Sequence, residues 1–192
     1  MIKSILVKPE IIESSKQFAL DRIGLSEALY RQRGEARKSK MVEDIQVGTM
    51  AEWACYEYLM DTASKGTTIT EPDTKIYKAK KKSFSADLVY TLKSGEVANF
   101  HIKSQTYKSA KAYGASWLFQ KTDKLFNDPA ENDYAIFCLV DGDKVDIKAC
   151  VQVKDLVQRD LLEEPKVWKY RSSKQAIYLD HVLEADIDTR CF

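Results

Sequence analysis

The stretch Ser85-Ala86-Asp87-Leu88-Val89-Tyr90, joined through Lys93-Ser94-Gly95 to Ala98-Asn99-Phe100-His101-Ile102-Lys103-Ser104-Gln105, decides the reading of this chain. Phe84, Ala86, Leu88 and Tyr90 alternate with Ser85, Asp87 and Val89, and Ala98, Phe100 and Ile102 alternate with Asn99, His101, Lys103 and Gln105. Successive side chains of a strand point to opposite faces, so the pattern predicts a β-hairpin with one apolar and one polar face. Lys93-Ser94-Gly95 suits a three-residue connection with glycine in the left-handed position. Centring the turn on Ser94 sets Asp87 opposite His101. A carboxylate, an imidazole and an ammonium then converge on one patch, the equipment of a metal-dependent phosphodiester hydrolase.

The surrounding sequence reads as one domain over residues 1–192. Its 192 residues can bury a real core, and 44% hydrophobic with 31% charged residues is the composition of a soluble globular protein. The longest apolar run, Tyr134 to Val140, is too short to span a bilayer, and the lysine-broken start Met1 to Lys8 does not read as a secretion signal. Cys55, Cys138, Cys150 and Cys191 have no CxxC spacing, so we expect no structural zinc and reduced thiols in a cytoplasmic protein. The formal net charge is only +1, but eleven lysines face three acids between Lys75 and Leu125. A basic middle suits a polyanion such as DNA.

Helical patterning predicts N-terminal helices within 9–61: one over about 9–33, interrupted at Gly24, and one over about 43–61. In the second, Val47, Met50, Ala51, Ala54 and Tyr58 form the apolar stripe and Glu52 lies beside it. Gly48, one turn earlier, would let another element approach Glu52 closely. The core is expected over about 75–162, with strands at 75–77, 84–90, 98–105, 134–140 and 145–153. A loop over 106–115, a helix capped by Ser116 and a helix over 154–162 complete it. The tail, 163–192, carries a strand at 176–179. A mixed central β-sheet flanked by helices, of α/β type, follows.

These elements resemble the PD-(D/E)xK nuclease superfamily, which includes restriction endonucleases and phage nucleases. Gly48 to Leu59 looks like the family's acid-bearing helix, Asp87 like its strand acid, and His101-Ile102-Lys103 like its (D/E)xK element. The resemblance implies a restriction-endonuclease-like core over roughly 45–153 and hydrolysis of DNA with Mg2+ or Mn2+. Asp87, His101, the Ile102 carbonyl and Glu52 would hold the metal, and Lys103 would position or activate water. Gln105, Lys80, Lys81, Lys82, Lys108, Lys111 and Lys121 would contact nucleic acid. Aromatic residues interleaved with lysines around Tyr113 and at Trp168-Lys169-Tyr170-Arg171 either stack bases or simply pack.

His101 departs from the family pattern. An imidazole lacks the negative charge that gathers Mg2+ and favours Mn2+ or later transition ions. Three outcomes stay open: a preference for Mn2+, charge restored by Glu52 or Glu96, or a weakened site. The leading expectation is an endonuclease, homodimeric if it cuts both strands. The rivals are an inactive nucleic-acid-binding module of the same fold and a protein-interaction or inhibitor protein.

Overall fold

The computed structural model describes residues 2–32, 37–76, 86–185 and 187–189, with only the helical backbone described for 24–32. In chain order the elements are β1 (Lys3–Leu6), α1 (Pro9–Gln32), α2 (Lys38–Thr62), β2 (Thr68–Ile69), β3 (Leu88–Thr91) and β4 (Val97–Thr106). There follow α3 (Tyr107–Tyr113), β5 (Ser116–Gln120), α4 (Lys124–Asn127), β6 (Asp133–Asp141), β7 (Lys144–Gln152) and α5 (Val153–Gln158). A 3-10 turn (Trp168–Tyr170), β8 (Lys174–Tyr178) and α6 (Leu179–Glu184) close the chain. Six strands form one mixed sheet in the order β1-β7-β6-β4-β3-β2, in which only β4 and β6 run parallel; β5 and β8 form a separate antiparallel pair.

The central hairpin has the expected register. Leu88 pairs with Phe100 and Tyr90 with Ala98. Gly95, at φ +90°, donates its N–H to the Leu92 carbonyl, a conformation that an L side chain rarely adopts. Beyond it β6 is buried along almost its whole length. Strands covered on both faces read as continuous apolar runs, and that is the character of Tyr134 to Val140.

Each face of the sheet has its own core. On one face α2 lays Met50, Ala51, Ala54, Tyr58 and Leu59 over Leu88, Tyr90, Phe100, Ile102 and Ile136. On the other, Trp117, Phe119, Leu156 and Ile177 cover Phe137, Leu139 and Val151. Trp117 stacks on Phe137 with centroids 4.5 Å apart and donates its indole N–H to the Cys138 carbonyl. At the β7 end, Asp146 receives hydrogen bonds from Ser4 and Tyr107, with Lys144 and Lys148 alongside. Burial pushes that carboxyl up, but these donors and cations outweigh it and bring it down to about 2. The cluster pins the start of α3, and with it the end of β4, to β7 and β1.

Several expectations are corrected. Helix α1 runs through Gly24 without a break. Lys75 and Ile76 form no strand, and Tyr77 lies outside the described residues. The 106–115 loop contains α3, because the Thr106 hydroxyl caps the Ser109 N–H and Gly114, at φ +84°, returns its N–H to Ala110. Ser116 starts a strand, not a helix. Trp117 and Phe119 are buried while Leu118 is exposed, a period of two that three residues display only weakly in sequence. The reduced-thiol expectation holds for Cys55 and Cys138, which are free and buried, but Cys150 is disulfide-bonded. Among the described residues no helix is long and apolar enough to cross a membrane.

The strand assignment of β5 makes Trp117→Ala costly, by about 3–5 kcal/mol in urea unfolding, from lost packing and a cavity. Leu118→Ala should change stability by no more than about 0.5 kcal/mol. Equal losses at the two positions would contradict the burial pattern.

Candidate functional site

The site is built on a mismatch of strand lengths. Strand β4 has ten residues and β3 only four, so β3 covers β4 from Val97 to Phe100 and no further. Strand β6 supports β4 on its other edge, from Asn99 to Thr106. Among the described residues, no strand pairs with Ile102, Ser104 or Thr106 on the β3 side. Asp87, immediately before β3, fills the first gap. Its N–H donates to the Phe100 carbonyl at 2.9 Å, and its Oδ2 accepts the Ile102 N–H at 2.6 Å. A side-chain carboxylate thus replaces a strand carbonyl. A strand residue's N–H and C=O point to the same edge, so the Ile102 carbonyl faces the same opening.

Glu52 reaches this opening from α2, which packs on the sheet through Ala51, Ala54 and Cys55. Burial first, and the Asp87 carboxylate second, push the Glu52 carboxyl up to about 8. Arg22 of α1 and Lys103 of β4 pull the other way, and Asp73 adds a smaller push. Two further acids and two cations, from four other segments, therefore act on Glu52. Lys103 extends its ammonium over the Phe119 ring, 5.6 Å from the centroid, so its stem lies on the opposite sheet face from α2. Asp87 sits at the edge between the two faces.

The predicted residues thus fall into groups. Asp87 and Lys103 both act on the Glu52 carboxyl, although Lys103 lies on the other face of the sheet. His101 directs its Nε2 towards Asp133 Oδ1 at 3.7 Å, and Asn99 donates to the same oxygen at 3.0 Å. Among the described residues no three His, Cys, Asp or Glu side chains are grouped so as to hold a metal. Gln105 is engaged within the fold. Its amide donates to Ser109 Oγ and the Gly114 carbonyl, and its carbonyl accepts the Ser116 N–H, tying β4, α3 and β5 together. Lys108 lines a cleft of about 710 Å³ at the end of β4, whereas Lys111 does not, and Lys121 lies at the far end of β5. Lys80, Lys81 and Lys82 lie outside the described residues.

The close approach expected at Gly48 is not found. Among the described residues a Cβ built there meets nothing within 4 Å. Sequence reading missed Arg22 and Asp73 as neighbours of Glu52, and Arg37, Lys40, Lys166 and Lys169 as cleft residues. Their sequence separation hides them, since only folding brings α1 near Glu52 and the start of α2 and the 165–170 segment to the cleft. No protein-family model, curated protein or solved structure matches the chain.

A carboxyl raised from 4.5 to about 8 has a definite linkage sign. The folded state holds a proton that the unfolded state has released, so this contribution to stability is present at acid pH and is lost as pH rises through that window. Urea titrations in EDTA should show Glu52→Gln gaining on the wild type between about pH 5 and 9, by on the order of a few kcal/mol. A difference that stays constant with pH would contradict the assignment.

Proposed function

We propose that this chain is a metal-dependent nuclease that hydrolyses phosphodiester bonds in DNA, built on a restriction-endonuclease-like core. The observation that carries the reading is the Asp87 carboxylate held on the Ile102 N–H beyond the end of β3, with Glu52 near enough for both Asp87 and Lys103 to act on its carboxyl. The order of elements supports it: an acid-bearing helix α2, the meander β2-β3-β4, helix α3, and β6 parallel to β4. The resemblance to PD-(D/E)xK nucleases implies a mixed sheet flanked by helices, with an acid on an N-terminal helix and further site residues on two successive strands.

The donor set fits a hard divalent cation. Mg2+ and Mn2+ take oxygen ligands, and Asp87, Glu52 and the Ile102 carbonyl offer them at one opening. Burial raises the Glu52 carboxyl most, and the Asp87 carboxylate adds to it beyond what Arg22 and Lys103 offset, so a cation at this opening would relieve the repulsion between the two acids. Such a cation would supply Lewis-acid charge towards the scissile phosphate. The chain's own groups do the rest. Asp87 and Glu52 fix the geometry of the opening, and Asp87 is itself held by the Ile102 N–H. The Lys103 ammonium, steadied against Phe119, donates to a phosphate oxygen or orients the attacking water. His101, turned to Asp133, stands outside this set and bears on phosphate or water only indirectly.

One observation favours the second reading, a nucleic-acid-binding module without chemistry: His101 stands where the family pattern has an acid, and its ring is turned to Asp133. Cleavage assays separate the two. Plasmid and linear DNA incubated with Mg2+ or Mn2+ should be cut, and EDTA should abolish cutting. Asp87→Ala and Lys103→Ala should each lower the rate at least about 100-fold, the scale of losing a charge-stabilising or proton-handling group. His101→Glu should retain or gain activity in Mg2+. A wild type inert in both metals, or undiminished rates in both alanine variants, would refute the catalytic reading.

A further inference from the structure

The cleft at the end of β4 joins segments that are far apart in sequence. Ser104, Gln105 and Thr106, directly after Lys103, line it, and the start of α2, helix α3 and the 165–170 segment form its walls. The lining carries five basic side chains, Arg37, Lys40, Lys108, Lys166 and Lys169, against two acids, Glu43 and Asp44. The whole chain has a formal net charge of only +1, so positive charge is concentrated here. Lys40 is paired with both acids, at 3.1 and 2.8 Å. Among the described residues no ion pair involves Lys108, Lys166 or Lys169. Two of these three ammoniums are steadied from within the chain. Lys166 Nζ lies 4.5 Å from the Tyr178 ring centroid, and the Tyr178 hydroxyl accepts the Lys166 N–H at 2.7 Å. Lys169 Nζ lies 4.8 Å from the Tyr170 centroid. The rings attract the ammoniums without neutralising them.

Base edges are read by side chains that make directed pairs of hydrogen bonds, Arg, Asn or Gln, and by carboxylates that accept from cytosine. In this cleft those types are engaged within the fold. Gln105 uses both ends of its amide on Ser109, Gly114 and Ser116. Glu43 and Asp44 hold Lys40. Arg37 is a single guanidinium, which by itself distinguishes no more than one guanine. The lysines are point charges that suit phosphate oxygens and carry no sequence information. We infer that this cleft holds the phosphodiester backbone of DNA through Lys108, Lys166 and Lys169, independently of base sequence. The inference rests on the nuclease reading for the identity of the polyanion and for its course past Lys103. A lone phosphate satisfies one ammonium, whereas a chain of phosphates meets all three, which stand on two different walls.

The test is binding in EDTA, where metal-dependent cutting does not occur, with labelled duplexes of several unrelated sequences. The wild type should bind them within about twofold of one another, with affinity falling steeply as salt rises. Lys166→Ala and Lys169→Ala should each weaken binding to every duplex by the same factor and make the slope of log K against log salt shallower by about one. Lys166→Arg, which keeps the charge, should bind like the wild type, as should Lys65→Ala, an exposed lysine outside the cleft. A preference of about tenfold or more for one sequence, unchanged slopes in both cleft variants, or an equal loss in Lys65→Ala would overturn the inference. So would displacement of the duplex by inorganic phosphate beyond that by sodium chloride at equal ionic strength, the mark of a small-anion site. Because the probe is not cut, the two readings fail separately. Unchanged cleft variants beside metal-dependent cutting place the backbone elsewhere on a working nuclease. Lysine-dependent binding with no cutting in any metal refutes the nuclease and leaves the cleft standing.

Discussion

The architecture around the site depends on one constraint: β4 is longer than the strand beside it. Four residues of β3 pair with Val97–Phe100, and among the described residues no strand pairs with the rest of that edge of β4. An unsatisfied strand edge is unfavourable inside a fold, and Asp87 relieves the first free N–H by accepting it on a carboxylate oxygen. That hydrogen bond fixes an acid beside the Ile102 carbonyl and next to Glu52. The same edge, followed towards Thr106, becomes the floor of the basic cleft. Pairing with β6 keeps this part of β4 extended even though no strand among the described residues pairs with its other side.

Placing two acids together has a cost that the fold bears at Glu52. The group is partly sheltered by the packing of α2, faces Asp87, and is only partly compensated by Arg22 and Lys103. Arrangements of this kind are common where a protein binds cations or moves protons. Here the crowding is produced by rigid elements: a 25-residue helix, a ten-residue strand, and a hairpin with an obligatory turn glycine. The geometry is therefore inherent in the scaffold.

The hairpin register was legible because Gly95 and strict alternation leave one alignment that buries Leu88, Tyr90, Ala98 and Phe100 together. The helix α2 was legible from its stripe, and Glu52 from its place beside that stripe. Strand β5 was not, since Trp117-Leu118-Phe119 is too short to tell alternation from a helical face. Gln105 read as a phosphate contact because its partners, Ser109, Gly114 and Ser116, become neighbours only when α3 forms. His101 shared the polar face as expected, yet Asp133, delivered by the parallel strand β6, claims its ring. Local pattern gave the elements, and long-range pairing decided what each polar side chain meets.

The central claim is that Glu52 and Asp87 share one electrostatic environment at the open edge of β4. Carbon-13 NMR titration of the Glu52 carboxyl, in the metal-free wild type and in Asp87→Ala, measures this directly. A wild-type midpoint near 8 that moves down in the variant is the predicted result. A midpoint near 4.5 in both proteins would contradict the account.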